Sequence, residues 1–245
     1  RRCKRREMVR IAWRDISGLA SFEKTVAETS QFADAVLDTV LRRVQWDLSN
    51  ERGAPTSEDG SPQTMIVLAL GKLGSQELNF SSDIDLIFGF AQNGFTVGTS
   101  RALSNEEFFI RLARRYINLM SKTTEDGFVF RIDMRLRPFG ESGPLVMSFH
   151  AMEDYYQEQG REWERYAMLK GRLIGTENPY WKEFYELLRP FVYRRYIDFS
   201  VIESLRKMKQ MIAQEVRRKR LTNNIKLGAG GIREVEFVVQ ALQMV

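Results

Sequence analysis

The sequence predicts an α+β fold in which a small mixed-sheet core lies within a largely helical chain. Apolar residues recur at helical spacing up to about residue 50, and helical spacing returns after residue 148. Between them, two short continuous apolar runs at 65–70 and 84–90 are typical of strands buried on both faces. We therefore expect three regions: a helical lead-in at 1–52, the core at 60–147, and a helical region at 148–245 that packs on the core.

The core is expected to begin in the order strand, loop, strand, helix. A Gly-, Pro- and Ser-rich stretch at 51–62 is typical of a surface loop that separates the lead-in from the core. The two apolar runs become strands, and the connection between them opens with Gly71-Lys-Leu-Gly-Ser75. Ser104-Asn-Glu-Glu107 has the Ser-x-x-Glu form of a capping box, which predicts that a helix starts there.

A third strand is predicted at 127–135 from the alternation of its side chains. The alternation puts Asp133 on the face opposite to the phenylalanines. One further short strand is expected at 145–147. The rest of the chain is predicted to be helical, with an apolar stripe at Ile202, Leu205, Met208, Ile212 and Val216.

Composition excludes several classes of protein. Lys and Arg number 37 and Asp and Glu number 32, so the net charge of +5 is only mildly basic, and 43% hydrophobic residues suffice for a large core. One cysteine, Cys3, and one histidine, His150, exclude a disulfide framework and a Cys/His zinc cluster. Since no apolar run approaches the roughly 18 residues of a membrane span, we expect a cytoplasmic protein without a membrane partner. The missing initial Met and the apolar end suggest a fragment of a longer polypeptide.

The sharpest chemical feature is the pair Asp83 and Asp85, at positions i and i+2 of a predicted strand. Both side chains then project from one face, where two like charges need a partner. A hard divalent cation such as Mg²⁺ prefers oxygen ligands and would clamp a phosphate on its other side. Taken alone, a solvated surface pair without a metal is the commoner interpretation of such a motif.

Neighbouring residues favour the metal interpretation. Gly74 and Ser75 follow a buried strand, where backbone N–H groups can hold phosphate oxygens, and Lys72 in the same turn could contact a phosphate. Asp133 offers a third carboxylate on an adjacent strand. Arg135 and Arg137 follow it and could bind an anionic substrate.

This combination resembles the nucleotidyltransferase superfamily related to DNA polymerase β. Longer segments narrow the resemblance to the bifunctional glutamine synthetase adenylyltransferase/adenylyl-removing family, which it matches from Arg5 to the C-terminus. The segments that carry it are Gly71-Lys-Leu-Gly74 and residues 77–88, 133–144, 155–166 and 228–237. The resemblance implies a DNA polymerase β-like core and Mg²⁺ or Mn²⁺ bound by Asp83, Asp85 and Asp133.

The resemblance also implies an activity. We expect the N-terminal, adenylyl-removing unit, in which phosphate attacks tyrosine-bound AMP and ADP is released. The implied partners are glutamine synthetase, the PII signal protein and a C-terminal adenylyltransferase unit in the same polypeptide. Two alternatives stay open: the unit that attaches AMP from ATP, and a regulatory module that binds nucleotide or PII without turnover. A polymerase-like enzyme acting on nucleic acid is unattractive at a net charge of +5.

Other charged residues are weaker candidates. Lys170 and Arg172 could approach a phosphate, and Glu234 and Glu236 could have a metal or catalytic role, but ordinary structural roles are favoured for all four. The basic run at 217–220 is interpreted as the solvated end of a helix.

Overall fold

The computed structural model describes residues 1–176 and 179–193 and, beyond them, 206, 207, 209–211, 213, 214, 216, 218, 224–226, 228 and 230–243. Most of the predicted apolar stripe (Ile202, Leu205, Met208 and Ile212) lies outside the described residues. So do Arg217, Lys219 and Arg220 of the basic run. None of the helices within the described part of the chain has the length and apolarity to cross a membrane.

The described residues form a mixed α/β structure with helices on both faces of a sheet. The helices are α1 (Arg2–Ile16), α2 (Phe22–Arg52), α3 (Gly71–Gly74), α4 (Asn105–Ser121), α5 (Phe149–Glu158), α6 (Glu162–Met168), α7 (Tyr180–Val192) and α8 (Ile232–Gln243). The strands are β1 (Ala54–Ser57), β2 (Ile66–Ala69), β3 (Ile84–Phe90), β4 (Gly94–Val97), β5 (Ile132–Asp133), β6 (Val146–Ser148) and β7 (Arg172–Ile174).

The central sheet is mixed, as predicted. Its path runs β5-β3-β2-β7; β2 pairs antiparallel with both β3 and β7. The other edge of β3 is shared by two short parallel strands, β5 at its start and β6 at its end. The expected strand near residue 146 is therefore confirmed, whereas β7 was missed, because a strand of three residues carries no readable alternation.

Both faces of the sheet are buried. Val67 and Phe88 face a core formed with α2 and α4, and Leu68 and Ile87 face a second core formed with α5 and α7. This two-sided burial explains why β2 and β3 are continuous apolar runs in the sequence. The helix predicted from Ser104 is also confirmed, since its hydroxyl accepts a hydrogen bond from the Glu107 N–H at 3.2 Å and caps α4.

Two sequence predictions need correction. The stretch at 51–62 is not a loop throughout, because α2 continues to Arg52 and β1 pairs antiparallel with β4 in a small second sheet. The third strand is also much shorter than 127–135. Val129 and Phe130 donate their N–H groups to the Met120 carbonyl, so only β5 remains to pair with β3.

Candidate active site

A polar cleft of about 580 Å³ opens where β3 begins. The acidic residues at the start of β3 and the end of β5 form one part of its lining, here called the acidic wall, and lysines also line the cleft. The principal lining residues are Lys72, Asp83, Asp85, Asp133, Arg135, Tyr166, Lys170, Lys226 and Glu236. The described part of the chain thus contributes side chains to the cleft from six separate segments.

Strand pairing brings the three predicted carboxylates together. Asp85 lies directly opposite Asp133 in the parallel register of β3 and β5. Asp83 precedes β3 by one residue and lies two positions before Asp85, and all three line the cleft. The alternation predicted for 127–135 holds in part: Phe130 and Met134 pack in the core while Asp133 lines the cleft, but Val129 also packs against that core.

Asp85 is the most confined of the three. Its pKa is raised, first by burial and then by the negative charge of Asp133, with a smaller contribution from Asp83. No described residue donates a hydrogen bond to its carboxylate. Gly71 lies against it with a φ of +55°, and a Cβ at Gly71 would lie only 2.6 Å from Asp85 Oδ2. The first glycine of the turn therefore makes room for this carboxylate.

Arginines neutralise the other two carboxylates. Arg131 Nε donates to Asp83 Oδ1 at 2.6 Å, and Arg135 Nε donates to Asp133 Oδ2 at 2.9 Å. The hydrogen bond from Arg135 lowers the pKa of Asp133, whereas the same contact raises that of Arg135. Asp83 and Asp133 are therefore each paired with an arginine, whereas Asp85 is not.

The donor set suits a hard divalent cation. Three carboxylates on one wall are the oxygen ligands that Mg²⁺ or Mn²⁺ prefers, and their mutual repulsion adds to the effect of burial in raising the pKa of Asp85. Within the described part of the chain, however, no three acidic, His or Cys side chains already have the spacing of a metal site. Because Asp83 and Asp133 are turned toward arginines, cation binding requires these side chains to reorient.

Comparison with known proteins identifies the family. The family model described as glutamate-ammonia ligase adenylyltransferase matches residues 1–186. The chain belongs to this family. A second family model, described as GlnD PII-uridylyltransferase, matches residues 206–245. The family resemblance recognised in the sequence motifs is thus confirmed.

Curated relatives are similar over the whole chain. Proteins named bifunctional glutamine synthetase adenylyltransferase/adenylyl-removing enzyme are 58% identical in Shewanella frigidimarina, 59% in Shewanella oneidensis and 56% in Nitrosococcus oceani. Each match covers 100% of this chain. The chain spans about a quarter of the length of these relatives, 25–26%.

Of the predicted phosphate-binding residues in the glycine turn, only Lys72 lies in the cleft. Lys72 is among the residues that line the cleft, whereas Gly74 and Ser75 are not. The Gly74 and Ser75 N–H groups instead donate within the turn, to the carbonyls of Leu70 and Gly71 at 3.0 and 3.1 Å. They are therefore not directed at a ligand, and Gly74 is buried against the backbone of the α6–β7 connection.

The two arginines predicted to bind an anionic substrate also differ in position. Arg135 lines the cleft, but Arg137 is only 9% exposed, and its guanidinium donates to three backbone carbonyls at 2.9–3.2 Å. The acceptors are Met134, Glu141 and Gly143. Arg137 thus fixes the loop that follows β5 and does not face the cleft.

Several cleft residues were missed or undervalued. Lys170 Nζ contacts Glu236 Oε1 at 3.0 Å, which connects the α6–β7 segment to α8 across 66 residues. Lys226 was not considered, and Tyr166 was noticed only as part of a motif; burial raises the pKa of its hydroxyl to about 12. Arg131, which binds Asp83 without lining the cleft itself, was interpreted only as one position in an alternating strand. No local sequence signal marks these contacts, because each partner is distant along the chain.

Proposed function

We propose that this cleft catalyses metal-dependent nucleotidyl transfer and removes AMP from an adenylylated tyrosine of glutamine synthetase. The core would have the DNA polymerase β-like form, and the chain would be the adenylyl-removing unit of a longer polypeptide that also carries an adenylyltransferase unit. Glutamine synthetase and the PII protein would be its partners. The observation that carries the proposal is the meeting of Asp83, Asp85 and Asp133 at one cleft that Lys72, Lys170 and Lys226 also line.

The three carboxylates would hold one or two divalent cations. When bound, a cation would offset the negative charge that builds on the transferring phosphoryl group. Asp85 and Asp133 lie on paired strands, so the sheet itself fixes their separation. Asp83 lies outside the strand and is half-exposed, which leaves its side chain able to adjust.

The basic residues would bind the anionic reactants. Arg135, Lys72 and Lys226 line the cleft with their cationic groups, and two anions must be held together: the AMP phosphoryl group and inorganic phosphate. A phosphate oxygen attacks the α-phosphorus, the bond from phosphorus to the tyrosine oxygen breaks, and ADP and a phenolate result. The phenolate then takes a proton from solvent.

Removal makes modest demands on acid–base catalysis. Phosphate is already anionic, so no strong base is needed, and a phenolate with a conjugate-acid pKa of about 10 leaves without a dedicated acid. Attachment of AMP would instead need a base for the tyrosine hydroxyl.

The test is incubation of the chain with adenylylated glutamine synthetase, Mg²⁺ and phosphate, with ADP release as the signal. Asp85→Asn should abolish the signal, and Asp47→Asn on the distant α2 surface should not. If ADP is absent but ATP and unmodified synthetase give AMP-tyrosine, attachment replaces removal. If a folded chain binds nucleotide and does neither, the regulatory module is the better description.

A further inference from the structure

Arg131 makes a contact that the proposed reaction does not use. Its Nε donates to Asp83 Oδ1 at 2.6 Å, and its Nη2 donates to the Ser81 carbonyl at 3.3 Å. The guanidinium therefore engages two oxygen atoms just before β3, one of which belongs to a proposed cation ligand. Arg131 itself does not line the cleft.

The backbone holds Arg131 beside Asp83. Its carbonyl accepts the Ile84 N–H at 2.9 Å, which fixes the two segments side by side where β3 and β5 begin. The guanidinium carbon lies 5.5 Å from the centre of the Phe128 ring, which supports its flat face. Lys4 lies over the same ring at 4.8 Å, so its positive charge and that of Arg131 repel each other.

The Arg131 guanidinium and a divalent cation would compete for the same Asp83 carboxylate. The pair is half-open to water, with side-chain exposures of 57% and 50%, so the arginine can be displaced. Arg135 differs, because it grips the more buried Asp133 through both oxygens and also lines the cleft. The contact at Asp83 is the weaker of the two and the easier one to exchange.

We propose that Arg131 is a positioning residue that competes with the divalent cation for Asp83 and so sets the cation affinity of the site. This inference rests on the proposed function, since it takes Asp83 as a cation ligand. Arg131 keeps the affinity of the site for a divalent cation below the value that the three carboxylates alone would give. Removal of the guanidinium should tighten cation binding, although it removes a contact.

The test is Mn²⁺ binding to the 245-residue chain, measured by the electron paramagnetic resonance signal of free Mn²⁺. Arg131→Gln should tighten binding about two- to fivefold, the range for loss of an exposed ion pair. Lys72→Gln removes the same charge from the cleft without touching Asp83 and should have a smaller effect. Arg131→Lys, which keeps the charge but not the forked contact, should fall between wild type and Arg131→Gln.

A mutant cycle isolates the pair. In an Asp83→Asn background, Arg131→Gln should no longer change Mn²⁺ affinity. Unchanged or weaker binding by Arg131→Gln, or an effect equal to that of Lys72→Gln, would overturn the competition while leaving the proposed function intact. If neither wild type nor Arg131→Gln binds Mn²⁺, the metal site of the proposed function fails as well. Thermal melts of each variant confirm that the chains compared are folded.

Discussion

Gly74 is the residue whose replacement has the best-defined structural cost. A Cβ at this position would lie 1.8 Å from the Lys170 carbonyl oxygen and 2.8 Å from the Ala69 carbonyl oxygen. Real Cβ atoms essentially never approach closer than 3.0 Å, so the first contact is short by at least 1.2 Å. Both neighbours are backbone, and neither can rotate away as a side chain would.

The expected cost of Gly74→Ala follows from that overlap. Overpacking of a well-packed site costs about 1–3 kcal/mol, and a clash with two backbone carbonyls belongs at the upper end, about 3 kcal/mol. For a chain of this size each kcal/mol lowers the melting temperature by about 2–4 °C, so the predicted fall is about 6–12 °C. The measurement is thermal unfolding followed by far-ultraviolet circular dichroism.

Gly89→Ala is the matched control for this prediction. Gly89 is also buried, on β3, but the nearest atom to an added Cβ is the terminal methyl of Met152 at 3.1 Å. A flexible thioether can yield, so the expected change is within about 1 kcal/mol. The reasoning is refuted if Gly74→Ala melts within about 2 °C of wild type, or if Gly89→Ala loses more stability than it does.

Three further substitutions test the site. Gly71→Ala should abolish Mn²⁺ binding measured by calorimetry, because the added Cβ would meet the Asp85 carboxylate. The φ of +55° at this position adds a cost of only about 1–2 kcal/mol to the free energy of unfolding. Retained Mn²⁺ binding would contradict this prediction. Arg137→Gln should cost about 3 kcal/mol in urea unfolding, since it deprives three backbone carbonyls of donors, and an unchanged midpoint would show that the loop does not need it. Lys170→Gln should weaken ADP binding about tenfold by breaking the 3.0 Å contact with Glu236 and removing a cleft cation, whereas unaltered affinity would make the lysine purely structural.

Local patterns in the sequence were sufficient for the centre of the fold. The strands β2 and β3 can be predicted without knowledge of their partners, because a strand that is buried on both faces has consecutive apolar residues. The cap at Ser104 is equally local, since donor and acceptor are three residues apart. Asp83 and Asp85 were predicted to share a face for the same reason, and both line the cleft.

Features that depend on partners distant along the chain could not be predicted from the sequence. The role of Arg131 depends on the pairing of β3 with β5, which brings it to an aspartate 48 residues earlier. Arg137 looked like a phosphate ligand because exposure cannot be read from one residue, yet its guanidinium is buried among carbonyls. Gly74 was expected to free an N–H for phosphate, whereas its function is to let two backbones touch.

Overall charge also hides the character of the cleft. The chain carries +5, but three carboxylates meet at the acidic wall, and Asp85 among them has no arginine partner in the described part of the chain. A phosphate-bearing substrate would be repelled by that wall. Binding of such a substrate would therefore depend on the lysines that line the cleft and on neutralisation of Asp85. Any group that alters the charge available at Asp83, as Arg131 does, would then act on substrate binding as well as on cation affinity.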